Sequence, residues 1–241
     1  MTTSFDNKTV FVTGANRGIG EALIRALLAN KGVKKIYAAA RQTKNLPDFA
    51  DKRVVPVQLD ITDAGQVKKA VESAPDVQIL INNAGALAFA SIVEGKLEDL
   101  DHDMRINYLG TIRVVQGFVP VLEKNGGGGI ASISSVVGLA PIAGIGGYSA
   151  SKAALHSAIQ SMRAELESKN ISVHGIYPGP IDTDMAKDFD MQKTSAKETA
   201  ENILAGIAAG RQEIFPDAMS VQVGTLYAQN PKALEQQFAT M

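Results

Sequence analysis

Residues 8–32 read KTVFVTGANRGIGEALIRALLANKG. A short apolar run, VFVT, leads into the glycine-rich turn TGANRGIG at 13–20, and apolar residues at helical spacing follow. A strand, a glycine turn and a helix N-terminus in that order form a site for a pyrophosphate. Glycines let backbone N–H groups approach the phosphates, and the helix dipole favours the negative charge. Tight turns use the same residues, so the glycines carry weight through their place at the opening of a βαβ unit.

Working outward, β-rich runs alternate with helical ones. Strands are expected at 8–13, 34–40, 53–59, 77–82, 129–134 and 171–177, with a weaker seventh at 212–215. Helices are expected at 19–29, 64–73, 97–124, 148–169 and 196–209. Several strands are apolar without alternation, as strands covered on both faces are. Parallel strands need crossover connections, so the alternation predicts an α/β fold: a Rossmann-like, doubly wound parallel sheet of about seven strands, with helices on both faces. No linker divides the chain. The GGGG at 126–129 lies between a long helix and an apolar strand and reads as a turn. One domain over 1–241 is expected, with a first half at about 8–125 and a second at about 126–241. Residues 182–197 are polar and aperiodic, the pattern of a loop that closes over a ligand.

Composition excludes other classes. The chain has 241 residues, 45% hydrophobic and 20% charged, as a globular domain has. Its 24 basic and 25 acidic side chains nearly cancel, so no nucleic-acid or anionic-membrane partner follows from charge. There is no cysteine, and three scattered histidines make no metal cluster. No run approaches the ~18 apolar residues of a membrane span. The opening MTTSFDNKTV lacks a basic-then-apolar leader, so a soluble, cytoplasmic protein is expected.

Further motifs follow the glycine turn in order: NNAG at 82–85, a serine pair at 134–135, YSASK at 148–152 and PGPIDT at 178–183. With the TGxxxGxG spacing, this series resembles the short-chain dehydrogenase/reductase family over residues 8 to about 183, in its single-domain, NADP(H)-preferring, carbonyl-reductase-like branch. The resemblance implies an oxidoreductase acting on a small carbonyl or alcohol, and a homo-oligomer, tetramer or dimer.

The residues themselves point to the phosphorylated dinucleotide. An NAD site presents an acid about 20 residues after the turn, yet 22–47 contain neither Asp nor Glu. Arg41 stands where that acid would, and Arg17 lies in the turn; two guanidiniums clamp a 2′-phosphate. By resemblance, the cofactor set comprises Gly14, Asn16, Arg17, Gly18, Ile19, Gly20 and Arg41 at the phosphates. Asp60 faces the adenine beside Ile61, and Asn82, Ala84 and Gly85 wall the ribose. Ile181 and Thr183 hold the nicotinamide end with Pro178 and Gly179, and Tyr148 and Lys152 complete the set.

Tyr148 and Lys152 lie four residues apart, on one helix face. A phenol titrates near 10, and a nearby ammonium, with the cationic nicotinamide of the oxidised cofactor, lowers that value, so Tyr148 is expected to act as general acid toward a carbonyl oxygen or base toward an alcohol. Ser135 ends the fifth strand, at the edge where open α/β sheets hold ligands, and its 13-residue spacing to Tyr148 fits the family pattern. Asn107 matches the family's fourth catalytic position, where it looks like the holder of a water linking Lys152 to solvent. Leu87, Val136, Leu139, Ile142, Ile145, Met185, Phe189 and Met191 suggest an apolar pocket for a hydrophobic ketone or aldehyde.

Two alternatives stand beside this reading. One is a 3-oxoacyl-thioester reductase of lipid synthesis; the unusual ending, RQEIFPDAMS then VQVGTLYAQNPKALEQQF, counts against it and suggests a tail that caps the pocket or reaches a neighbouring subunit. The other is a catalytically silent NADP(H)-sensing module, which would not need all of Asn107, Ser135, Tyr148 and Lys152.

Overall fold

The computed structural model describes residues 4–241; residues 1–3 of the expected domain lie outside the described residues. β1 (Thr9–Thr13) runs through the glycine turn into α1 (Gly18–Ala29). Then come β2 (Lys35–Ala40), β3 (Val54–Gln58), α2 (Ala64–Ser73) and β4 (Ile79–Asn82). After α3 (Leu97–Asp103), α4 (Thr111–Lys124) and β5 (Gly128–Ile133), the second half adds α5 (Gly146–Leu166) and β6 (Ile171–Ile176). β7 (Ile181–Asp182), β8 (Thr194–Ser195), α6 (Ala196–Ala208) and β9 (Glu213–Ile214) follow, and α7 (Ala218–Gln229) and α8 (Pro231–Phe238) close the chain.

Seven strands form one parallel sheet in the order β3-β2-β1-β4-β5-β6-β9. The expected single-domain, doubly wound fold is what forms. Strand pleating sends alternate side chains to opposite faces, and both faces are covered. Phe11 joins the core under α2, α4 and α5, whereas Val10 and Val12 join the core under α1 and α6. This explains the unbroken apolar runs. The order reverses between β1 and β4, and ligands of such sheets bind outside the carboxyl ends there.

Four details depart from expectation. The helix expected over 97–124 is interrupted by a π-helical segment, Met104–Gly110. The seventh strand is only two residues long. The loop expected over 182–197 is pinned at its base, where Ile181 pairs with Thr194 and Asp182 with Ser195. The tail forms two capped helices. Asp217 accepts from the Ser220 N–H at the start of α7, and Asn230 accepts from the Ala233 N–H ahead of Pro231 at the start of α8. Both fold back on their own chain, where Val223, Leu234 and Phe238 pack with Val136, Val137 and Ile145.

Candidate functional site

A cleft of about 1700 Å³ runs along the carboxyl ends of the strands. At one end is the glycine turn. Gly14 has φ +66°, and a Cβ there would sit 2.9 Å from the Ala84 Cα, so the turn lies against the segment after β4 with no room for a side chain. Asn83 fastens the two, its Nδ2 donating to the carbonyls of Thr13 and Gly14 at 3.0 Å. The Thr13 hydroxyl in turn accepts from the backbone N–H groups of Asn83 and Ala84. Side chains cap the N-termini of α2, α6, α7 and α8, but none caps α1. Its free N–H groups and positive dipole end face the cleft, which suits a phosphate. Arg17 and Arg41 line the same end.

Most of the expected cofactor residues line the cleft: Gly14, Asn16, Gly18 and Ile19 at the turn, Asp60 and Ile61 after β3, Ala84 and Gly85 after β4. Pro178, Gly179, Ile181 and Thr183 line it too, with Thr183 packed beside Gly18 of the turn. Two do not. Gly20 is buried against Gly14, where a Cβ would run into the Gly14 carbonyl, so its part is packing. Asn82 is corrected by the pleat: its buried side chain turns into the sheet and donates to the Ser132 hydroxyl, and the cleft position belongs to Asn83. Asp60 binds its own turn through Thr62, leaving Asp63 to cap α2.

The middle of the cleft is built by β5 and α5. Ser135 is the last extended residue before a one-turn helix, and its Oγ accepts from the Val137 N–H. Both serines line the cleft, but the Ser134 hydroxyl is taken by the Lys152 carbonyl, and Ser135 is the one set against the Tyr148 phenol. Lys152 is buried; its Nζ donates to the Ile133 carbonyl at 2.8 Å and lies 5.5 Å from the Tyr148 ring centre. Burial brings Lys152 down to about 8. In the protein alone, burial pushes the Tyr148 phenol up, the Asp103 charge adds to the rise, and the Ser135 hydroxyl opposes it, so the phenol holds its proton at neutral pH.

Asn107 sits behind the cleft in the π-helical segment and is fully buried. Its Oδ1 accepts from the Ala86 N–H, and its Nδ2 donates to the Ala86 carbonyl and the Ser151 hydroxyl, each at 2.9 Å. Ser151 donates on to the Tyr148 carbonyl. The side chain thus braces the segment after β4 against α5. π-helical turns often mark such functional places.

Apolar side chains wall the remainder. Leu87, Val136, Ile142, Ile145, Met185, Phe189 and Met191 line the cleft as expected. Leu139 instead packs in the cluster with the tail. Phe89, two residues after Leu87, meets Phe189 at 5.7 Å between ring centres, and sequence reasoning passed over Met219 and Met241, which the folded-back tail delivers to the cleft. It also passed over Asp103, one helical turn before Asn107, a spacing that was visible. Among the described residues no cluster of metal-ligating side chains occurs, and no helix is long and apolar enough to cross a membrane.

This geometry agrees with what the chain resembles. A family model described as short chain dehydrogenase matches residues 8–194. A 3-oxoacyl-[acyl-carrier-protein] reductase of Thermotoga maritima is 32% identical over 219 residues, covering 86% of this chain and 85% of the relative. The same-named protein of Salmonella typhimurium is 31% identical over 214 residues, covering 86% and 85%. A short chain dehydrogenase from Burkholderia cenocepacia, solved in complex with NADP, is 34% identical with a TM-score of 0.93, covering 98% of this chain and 99% of that one. With the motifs in order and the sheet topology matching, the chain belongs to the short chain dehydrogenase family of oxidoreductases.

Proposed function

We propose that this oxidoreductase uses NADP(H) to reduce a hydrophobic ketone or aldehyde to the alcohol, reversibly, with Asn107, Ser135, Tyr148 and Lys152 as its catalytic set. The observation that carries the reading is the convergence of Ser135, Tyr148 and Lys152 on one cleft whose far end holds an uncapped helix N-terminus and two arginines. The cradle fits a dinucleotide: Gly14 leaves no space for a side chain, and Arg17 and Arg41 offer cations to a 2′-phosphate. The Burkholderia relative was solved with NADP, which supports the same choice.

When bound, NADPH supplies the hydride. The chain's own residues do the rest. The Ser135 hydroxyl donates to the substrate oxygen and fixes its position. Tyr148 holds the proton that this oxygen takes up; a buried phenol keeps that proton until negative charge develops beside it. The Lys152 ammonium, anchored on the Ile133 carbonyl, stabilises the phenolate left behind. Asn107 keeps the segment after β4 in place and joins Lys152 to solvent. Apolar walls exclude water, and holding both reactants in register supplies much of the rate. A dimer or tetramer acting on small molecules, without nucleic acid or membrane, completes the reading.

One observation favours a second reading, a 3-oxoacyl-thioester reductase: curated relatives with that activity are 31–32% identical. One experiment tests both. Oxidation of NADPH and NADH is followed against aryl ketones, medium-chain aldehydes and 3-oxoacyl thioesters. Turnover of a simple ketone with NADPH preferred supports the first reading, and thioester turnover alone supports the second. No turnover with any carbonyl, with NADPH still bound, leaves the silent sensing module.

A further inference from the structure

Asp103 ends α3 in a run, LEDLDHD, that reads as a solvated face, yet it is fully buried. Its Oδ1 accepts from the Ala88 N–H at 2.9 Å, and its Oδ2 is buried with no hydrogen-bond partner. One turn later Asn107 holds Ala86, so the two side chains grip alternate residues of the segment after β4. One oxygen therefore suffices for the grip. The other leaves a carboxylate in a dry place, where an uncompensated charge is costly. Across Gly85, where a Cβ would lie 3.0 Å from Asn107 Oδ1 and 3.6 Å from Lys152 Nζ, stands the other buried charge of the site. Lys152 likewise has no carboxylate within ion-pair distance among the described residues.

We infer that Asp103 is a positioning residue of the reaction, a buried counter-charge that acts through Lys152 and Tyr148 without touching substrate. This inference rests on the catalytic roles proposed above. The charges around it agree. Burial is the largest influence on the Asp103 carboxyl, upward; the Ala88 N–H draws it down, as do the charges of His102 on its own helix and of Lys152 on α5, while Asp99 pushes it up. Arg105 is taken by Asp101 on the exposed face. Toward its neighbours the Asp103 carboxylate acts in one direction, raising both Lys152 and Tyr148. It thereby holds the ammonium and the phenol in their protonated forms, those the reductive direction starts from. The Asp103 charge offsets part of what burial takes from the Lys152 ammonium.

Asp103→Asn tests this, because the amide oxygen still accepts from Ala88 while the charge is gone. With the charge removed, both groups titrate lower. The alkaline limb of the pH profile for ketone reduction moves to lower pH by half a unit or more, about threefold in the ionisation constant. In cofactor-free protein, an ultraviolet titration of phenolate, with Tyr148→Phe as background, shows the same downward movement for Tyr148. Asp103→Glu, which keeps the charge, holds the wild-type limb position. If Asp103→Asn lowers activity equally at every pH and leaves the phenolate titration unmoved, Asp103 only grips Ala88 and the inference is overturned. If the amide variant does not fold, carbon NMR of labelled aspartate in Lys152→Met replaces it: the Asp103 carboxyl titrates higher without its partner, and an unmoved titration overturns the inference. If wild-type protein reduces no carbonyl, the proposed function fails, while the cofactor-free titrations still decide Asp103.

Discussion

Arg17 Nη1 donates to Asp184 Oδ2 at 2.9 Å, joining the glycine turn to the segment just after β7. Both side chains are largely exposed, and such a pair contributes little in water, ~0–1 kcal/mol. A charge-assisted bond to a phosphate is worth about 1.5–3 kcal/mol. On the proposed assignment of Arg17 to the 2′-phosphate, that group wins Arg17 from Asp184 and frees the loop between β7 and β8 from the turn.

That competition has a measurable consequence. Asp184→Asn removes the competitor for Arg17 and lowers the NADPH dissociation constant about twofold to fivefold, while NADH binding stays as in wild type. Titration calorimetry with both dinucleotides checks it. Equal changes for NADPH and NADH place the effect outside the 2′-phosphate.

Tyr148→Phe separates chemistry from binding. The ring keeps its packing and loses only the hydroxyl, whose burial already strains its ionised form. Reduction falls by about 10²–10⁴ or more, as loss of a general acid does, with the NADPH dissociation constant within about twofold of wild type. Single-turnover kinetics alongside fluorescence titration of NADPH makes the comparison, and near-wild-type turnover ends the proposed mechanism.

Much of this was legible beforehand because it depends on local pattern. VFVT, QILIN and ISVHGIY show strands buried on both faces, and the glycine turn fixes the switch point between β1 and β4. What stayed hidden depends on long-range contact. LEDLDHD gives no sign that Asp103 is buried, because its partner Ala88 lies 15 residues back, in the irregular segment after β4. The π-helical segment around Asn107 leaves no mark on the apolar periodicity. Asn82 and Asn83 are adjacent identical residues, and only the pleat decides which one faces the cleft. The tail helices carry readable caps, Asp217 with Ser220 and Asn230 with Pro231, yet α7 scatters Ser, Gln, Gly and Thr among its apolar residues and shows little amphipathic pattern.

Lys152 makes a prediction about stability. Its value lies near 8 in the fold against 10.5 ordinarily. Below pH 8 it is protonated whether folded or not. Between pH 8 and 10.5 the unfolded chain holds a proton that the folded one has released, so stability rises with pH. Cofactor-free wild type should therefore gain on Lys152→Met across that window, by about 3 kcal/mol at the limit. Urea unfolding of both proteins from pH 7 to 10.5 gives the difference curve; a flat difference contradicts a buried ammonium here.

Phe238 connects the end of the chain to the wall of the cleft. It is fully buried, and it packs in a cluster with Leu234, Val223 and the 136–145 wall of the cleft. Truncating a buried Phe costs about 3–5 kcal/mol, more than a two-helix tail on a small cluster can lose without opening. Phe238→Ala should therefore loosen α7 and α8, withdraw Met219 and Met241 from the cleft, and slacken the wall bearing Ile142 and Ile145. The glycine turn and the core under α1 lie elsewhere in the fold. The expected result is a KM for a hydrophobic ketone raised about tenfold, an NADPH dissociation constant unchanged, and faster amide exchange confined to residues 136–145 and 218–238. A KM that stays put while those amides exchange faster would show that the tail covers the cleft without shaping what enters it.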